Sequence, residues 1–567
     1  MSAGEAAAVA PTTLGGPGRL VRVVAVAWLV ASCLFLVSPA IVGPLLLGPR
    51  SPGPPPVVAW NFATSLLWIV VLHGWVRRPE ILHLVLAPFY VTTAADLFLM
   101  LRMGSRLTST HWIVFLTDFA DVPGFVLSRG PGTWAALGAV LLFPLLGLLA
   151  MSRIRVDLPQ GVRRAGVGLL LLAYGVPLAW AATARTVPES LLKVASRDFS
   201  SPVGALSQGV VAAIRLRETH LNVDRRRSAS LGATRSVPRD APEIFVWVIG
   251  DSSRPDRWSL GGYRRETNPR LASIEDVLFL PDVVTPAPYT GYAVPAMLSL
   301  ARPEDWAAIT SSPSILRAFG EVGFESWWIS AQRPDSPFGV VHRVAEEADV
   351  RSYLADSSDE KIVEELRARL ASPDVPRKLL VVLHTRGNHF SGEVPPSFRR
   401  FTGGATGAGA DEGARYDEGI LLTDWVVSEI IRLVEARGVE GAVVYCSDHG
   451  ESLPDPDGLR GHGIGNEGDL RTAALAWASP RLVAARPDAV ARARSHARGR
   501  LRTADLAHAI LDLAGIEALG LDTSRSIFDA RFRENRRPVQ AVWSPGSVVD
   551  FDESIAASAR SGPSDRR

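Results

Sequence analysis

Two cysteines in 567 residues, Cys33 and Cys446, leave no material for a disulfide framework. Cys33 falls in an apolar run long enough to span a membrane and Cys446 in one that reads as a buried strand, so the two cannot meet as a structural pair. Charge is sparse in roughly the first third of the chain, which argues against a uniformly soluble protein; the remainder carries most of the Asp, Glu and Arg. No repeat recurs at a fixed period, which excludes a solenoid or propeller.

Five stretches approach the ~20 residues needed to cross a hydrocarbon core: Val23 to Leu47, Val57 to Val76, Ile81 to Leu101, Trp134 to Met151 and Ala165 to Ala182. A signal peptide would leave one early run. Arg19 and Arg22, Arg77 and Arg78, and Arg153, Arg155, Arg163 and Arg164 fall on alternate loops, so the positive-inside rule sets the amino terminus in the cytoplasm and everything after Ala182 outside; Arg102 and Arg106 run against that bias. Residues 1–182 are thus expected to form a five-helix transmembrane bundle. Its loop 102–133 holds an amphiphilic piece, His111 to Leu127, which Thr117, Asp118 and Asp121 suit to the lipid interface or equally to a solvated loop. Residues 183–240, with Arg215, Arg217 and Arg225 to Arg227, read as a linker containing one amphipathic helix near Gly204 to Leu216. A soluble domain is expected over 241–529 and a carboxy-terminal extension over 530–567, disordered from Ser554; Phe401 to Arg415, rich in Gly and Ala, reads as a mobile insertion.

Within 241–529 short apolar runs alternate with helical spacing. Ile244 to Ile249, Ser326 to Ile329, Leu379 to Leu383, Ala442 to Cys446 and Ala474 to Trp477 read as strands; Lys361 to Leu370, Tyr416 to Ala436 and Thr503 to Leu513 read as helices. That alternation predicts an α/β doubly wound, largely parallel sheet, whose chemistry sits at the carboxyl edge of the strands. The residues there are Asp251 after the first strand, His384 and His389 after the third, Asp448 and His449 in Ser447-Asp448-His449-Gly450-Glu451 after the fourth, and His462 in Gly461-His462-Gly463. One Asp or His alone is more often a capped turn or a hydrogen-bonded core residue, but six at one edge point to a metal, and carboxylate with imidazole suits zinc or, less specifically, manganese. Thr290 follows a Pro- and Gly-broken segment, Val284 to Tyr289, just before an apolar helical stretch. At a helix amino terminus it is a candidate nucleophile, and equally an N-cap.

In this arrangement the sequence resembles the membrane-anchored phosphoethanolamine transferases that modify lipid A, including the mobile colistin-resistance enzymes, whose catalytic domain is of the alkaline phosphatase and sulfatase type. The resemblance runs through Ile249-Gly250-Asp251-Ser252-Ser253-Arg254, Gly262-Tyr263-Arg264-Arg265-Glu266-Thr267-Asn268-Pro269-Arg270-Leu271, Thr290-Gly291-Tyr292-Ala293-Val294-Pro295, Gly387-Asn388-His389, Tyr416-Asp417 with Thr423-Asp424, and Ser447 to Leu453. It implies that Asp251, Thr290, Asp448 and His449 hold a catalytic zinc with Thr290 as nucleophile. His389 and His462 would bind the transferred phosphate or a second zinc, and Thr117 and Asp121 would meet the ethanolamine group. The implied reaction moves phosphoethanolamine from phosphatidylethanolamine to a lipid A-like envelope lipid or glycan, through a phosphothreonine, on the outer face of the inner membrane. The partners are then membrane lipids, with no nucleic acid and a monomeric chain.

The sequence departs from that family in three places. Asp251 stands where the family usually has Glu, Pro286 and Ala296 stand where a disulfide flanks the nucleophile, and Phe338 stands near a family lysine. Phosphoglycerol transfer, or phosphodiester or sulfate ester hydrolysis in the same superfamily, is the alternative. Ser253-Arg254-Pro255-Asp256-Arg257 fits the sulfatase nucleophile pattern, but it lies two residues after Asp251, whereas Thr290 lies 39 after it, the separation a nucleophile across the metal needs.

Overall fold

The structure, a computed structural model, describes residues 18–47, 78–103, 106–117, 159–170 and 229–560, the last without 236–239, 335–338, 355–357, 390–393, 404–410, 454–460 and 541–547, together with isolated positions between 59 and 226. The chain divides into two compact units, Met1–Phe98 with Trp134–Ser207 and Leu99–Thr133 with Gln208–Arg567.

The helices described before the sheet domain are α1 (Arg19–Leu47), α2 (Pro79–Val85), α3 (Ala87–Met103), α4 (Ser109–Thr117) and α5 (Gln160–Leu170). Leu36 and Val37 of α1 bury against Leu82, Leu86 and Tyr90. Among the described residues one helix, Arg19–Pro39, is long and apolar enough to cross a membrane; Ala87–Leu101 is apolar but shorter. The span expected over Ile81 to Leu101 is two helices, α2 and α3, parted at Leu86. Helical positions recur within 59–71 and 135–149, and most of the second, fourth and fifth expected spans lies outside the described residues.

The loop assigned by sequence to the membrane part belongs to the other unit. In α4 the Ser109 amide donates to Gln208 Oε1 at 2.9 Å, and Trp112 lies against Gly209, whose added Cβ would stand 3.3 Å from the indole. The expected linker is likewise built into the sheet domain at its end. Arg226 is buried and paired with Glu347 while donating to Ile309 O, Leu231 and Ala233 enter the core, Thr234 bridges Glu517, and Arg235 grips both oxygens of Glu243 at 2.7 and 2.8 Å. The folded domain therefore begins before residue 241. A buried arginine needs a buried partner, and Glu347 is invisible to a local reading of the basic run.

The sheet has eight strands: β1 (Glu243–Gly250), β2 (Leu278–Val284), β3 (Glu325–Ser330), β4 (Val350–Tyr353), β5 (Lys378–His384), β6 (Glu440–Ser447), β7 (Arg471–Ala478) and β8 (Leu501–Arg502). Their order is β4-β3-β5-β1-β6-β7-β2-β8, parallel except for β7, which runs against β6 and β2. Alternate residues of β1 feed two cores: Phe245, Trp247 and Ile249 on one face, Ile244, Val246 and Val248 on the other. Both faces of the central strands are covered, which is why they read as unbroken apolar runs. Flanking helices include α6 (Thr290–Met297), α7 (Glu360–Leu370), α8 (Glu412–Ala436) and α9 (Asp505–Ala514). Of the segment expected to be a mobile insertion, 412–415 is the first turn of α8, opened by the Asp411 carboxylate accepting from Gly413 N at 3.2 Å, and 404–410 lies outside the described residues.

The carboxy-terminal extension is ordered further than expected. Strands β9 (Pro538–Gln540) and β10 (Val548–Asp550) pair antiparallel, and α10 (Phe551–Arg560) follows, so Ser554 to Arg560 is helical. Val539 and Phe551 cover Val284 and Leu470, and Arg537 pairs with Asp282 and Asp552. These apolar and ionic partners lie far away in sequence, which a disorder reading of the last residues cannot see.

Candidate active site

β1, β5 and β6 lie side by side, in register at Ile249 with His384 and at Gly250 with Ser447. Asp251, Asp448 and His449, the residues just past β1 and β6, therefore come together. A ligand atom from each lies within 4.8 Å of the others, and all three side chains are buried. His449 Nε2 is 3.8 Å from Asp251 Oδ1 and 3.5 Å from Asp448 Oδ2. His449 Nδ1 donates to Gly450 O at 2.7 Å, which fixes the tautomer and leaves the Nε2 lone pair facing the carboxylates. Asp448 Oδ1 accepts from the amides of His449 (2.7 Å) and Ser252 (3.4 Å), whereas the buried Asp448 Oδ2 accepts no hydrogen bond among the described residues.

Burial, and next the neighbouring His462, lower the His449 pKa to about 4, so its imidazole is neutral as a ligand must be. Burial, then the Asp251 charge, push the Asp448 carboxyl well above its usual range. Burial also opposes ionisation of Asp251, but His389, His449 and His462 outweigh it and hold that carboxyl low. Two carboxylates at such separations repel by roughly 3 to 4 kcal/mol at an effective dielectric of 20, so a cation between them favours the doubly ionised pair. The donor set fits zinc: two carboxylates, one neutral imidazole of fixed tautomer, and an orphaned buried oxygen.

Thr290 sits at the first position of α6, where Tyr289 occupies the N-cap and makes no side-chain cap bond. Thr290 is thus not the cap, and its Oγ1 lies 3.5 Å from His449 Nε2. His462 lies beside His449, ring centroids 4.4 Å apart and tilted by 38°, and the His389 ring lies 5.7 Å from that of His462. Burial opposes charge on His462, but the Glu451 carboxylate bonded to its Nδ1 at 2.8 Å, aided by Asp251 and Asp448, raises its pKa to about 9. An imidazolium therefore stands next to the ligand set. His384 is buried edge-on against Trp328 at 5.9 Å and is not one of the three clustered ligands. Thr117 is the last residue of α4; Asp121 and Phe338 lie outside the described residues.

Supporting residues surround these side chains, and one of them, Gln332, carries no signal of its own in the sequence. Gln332, two residues past β3, donates Nε2 to Asp251 Oδ2 at 2.9 Å and to Thr385 O at 2.8 Å; only its place at the strand edge could have drawn notice. Tyr416 Oη donates to Ser252 O at 2.5 Å and accepts from Arg254 N at 2.8 Å, clamping the loop after Asp251. The Gly262 to Leu271 motif is held from α8: Tyr263 and Arg265 meet Asp417 at 2.9 and 2.6 Å, and the amides of Arg270 and Leu271 donate to Asp424. Ser253, the sulfatase-pattern serine, is buried; its Oγ accepts from Trp258 Nε1 at 2.9 Å, a structural task.

A buried carboxylate and imidazole set at the carboxyl edge of such a sheet, facing a hydroxyl at a helix amino terminus, defines the class to which the comparisons point. The sulfatase family model matches residues 243–516. Over 334 residues the chain is 26% identical to phosphoethanolamine transferase EptC of Escherichia coli (strain K12), covering 55% of this chain and 57% of that protein. The chain therefore matches little more than half the length of that relative. The periplasmic domain of EptC from Escherichia coli, solved in complex with Zn, superposes with a TM-score of 0.51 at 24% identity over 57% of this chain and 96% of that one. The integral membrane protein lipooligosaccharide phosphoethanolamine transferase A of Neisseria meningitidis covers 90% of this chain and 98% of its own with a TM-score of 0.65; at 17% identity the likeness is one of fold.

Proposed function

We propose that the chain transfers phosphoethanolamine from phosphatidylethanolamine to an envelope lipid or glycan by way of a phosphothreonine at Thr290, on a catalytic domain held outside the inner membrane by five spans. The observation that carries this is Thr290 Oγ1, uncommitted to capping α6 and 3.5 Å from the Nε2 of a buried ligand histidine. The names of the relatives and the fold shared with an integral membrane transferase support it.

In the first step the Thr290 oxygen forms a bond to phosphorus and the bond to the glycerol oxygen breaks; the hydroxyl proton ends on the departing diacylglycerol. In the second an acceptor hydroxyl takes the phosphoryl group, and Thr290 regains a proton. The amino terminus of α6 favours the anionic group at Thr290. The His462 imidazolium, set by Glu451, and His389 would meet the phosphate oxygens. Asp251, Asp448 and His449 would hold a zinc ion together with Thr290, and zinc supplies hydroxyl acidification and charge neutralisation. Thr117 and Asp121 are assigned the ethanolamine ammonium.

Thr290→Ala is expected to lower donor cleavage at least ~1000-fold even when zinc is supplied in excess, and Thr290→Ser to retain a measurable fraction, as expected when a covalent nucleophile is lost or conserved. Diacylglycerol release from phosphatidylethanolamine vesicles measures both. Full cleavage by the alanine variant contradicts the assignment.

A further inference from the structure

A cavity of about 510 Å³ opens on the domain, and none of Asp251, Asp448, His449 or Thr290 lines it. Five arginines line it, Arg302, Arg502, Arg525, Arg533 and Arg536, against three carboxylates, so the wall carries an excess of two positive charges. Arg525 is only 7% exposed; its Nε donates to Asp505 at 2.7 Å, and its Nη2 has no partner among the described residues. Arg502 spends its own guanidinium on the same Asp505, so one carboxylate serves two buried or nearly buried cations. The side chains of Arg302 and Arg533 make no bond or ion pair among the described residues. A buried guanidinium short of an acceptor costs stability, and two uncommitted arginines at the same opening are the fork donors that match phosphate oxygens.

The walls connect to the nucleophile's own segment. Pro303, which lines the cavity, accepts from Tyr292 Oη of α6 at 3.0 Å, and β9, which supplies Pro538, accepts from Tyr289 Oη at 3.1 Å through Gln540 and donates the Gln540 amide to Pro286 O at 2.8 Å. The carboxy-terminal extension thus builds both the cavity and the support of the Thr290 loop.

We infer that this cavity is an oxyanion subsite for a phosphate group, separate from the metal-ligand set. On the transferase reading, on which this assignment of its occupant rests, the group is a phosphate carried by the acceptor rather than the phosphate being transferred. A phosphorylated sugar or lipid acceptor is then gripped by the arginines while its free hydroxyl approaches Thr290.

The test uses full-length protein in detergent, wild type against the Arg302→Ala/Arg533→Ala double variant, which alters only exposed side chains. Equilibrium dialysis with inorganic pyrophosphate is expected to show one class of site weakened at least ~10-fold in the double variant and unchanged in His389→Ala. The same measurement with short-chain phosphatidic acid separates a lipid phosphate from a free one: tighter retention of the lipid names a lipid acceptor, and tighter retention of pyrophosphate a soluble or sugar phosphate. Donor cleavage and Thr290 loading are expected to stay at wild-type level in the double variant while the KM for a phosphorylated acceptor rises. Pyrophosphate binding unchanged in the double variant overturns the subsite. Absence of Thr290 loading in the wild type overturns the transferase reading instead and leaves the binding result standing.

Discussion

At the scale of single residues the site depends on backbone as much as on ligands. Gly387 has φ of +51°, and a Cβ there would stand 2.6 Å from Asp251 O and 2.7 Å from Asp251 N, while Asn388 N already donates to Asp251 O at 2.9 Å. Such contacts with backbone cannot relax by a side-chain rotation. Gly387→Ala is therefore expected to displace Asp251 and weaken zinc affinity by ~10-fold or more, measured by competition with a chelating dye. Asp448→Asn should weaken it further, since it removes a charge from a buried ligand; a variant of either kind with wild-type affinity would remove that residue from the site. The clustering of Asp251, Asp448 and His449 could be anticipated from the sequence because each follows an apolar run that forms a strand. Gln332 and the Glu451 role were not, because their meaning comes from Asp251 and His462 across the fold.

Among the elements, the five central strands and three long helices were legible from apolar runs and helical spacing, since strands buried on both faces carry their own signature. β2, β4 and β8 were not. β2 includes Pro281 and a register shift between Leu280 and Val283, β4 has four residues and β8 two, too few to show a period. Helix α9 carries a pH-sensitive element. His508 is wholly buried, its Nδ1 accepts from Asp522 N at 3.0 Å, and burial followed by the Arg525 charge lowers its pKa to about 3. The folded state thus disfavours the proton that the unfolded chain binds near pH 6.5. His508 then contributes stability fully above pH 6.5 and loses it as pH falls toward 3, at up to about 1.4 kcal/mol per pH unit. Urea unfolding of wild type and His508→Asn across pH 7 to 4 should show a shallower slope in the variant; equal slopes would contradict it.

For the whole molecule, donor and acceptor in the proposed reaction are both membrane lipids, so the first unit matters by bringing the domain to them. A fragment keeping 99–133 joined by a flexible linker to 208–567 is expected to keep zinc affinity and cleave a soluble phosphodiester, yet to lose transfer between vesicle lipids by ~100-fold or more, the order by which tethering raises effective concentration. Equal vesicle activity in the fragment would show that anchoring is dispensable. The charge distribution separates an apolar part of the chain from a charged one, whereas the assignment of 99–133 to the sheet-bearing unit rests on contacts such as Ser109 with Gln208, 99 residues apart.

The central claim is that Thr290 carries the transferred group, and the most direct test is the mass of the proteolytic peptide containing Thr290, from full-length protein purified out of phosphatidylethanolamine-rich membranes with zinc present. Phosphoethanolamine on Thr290, at stoichiometry raised by withholding acceptor, is the predicted result. Phosphoglycerol there would change the donor, and an unmodified Thr290 in protein that still cleaves the donor would contradict the covalent mechanism.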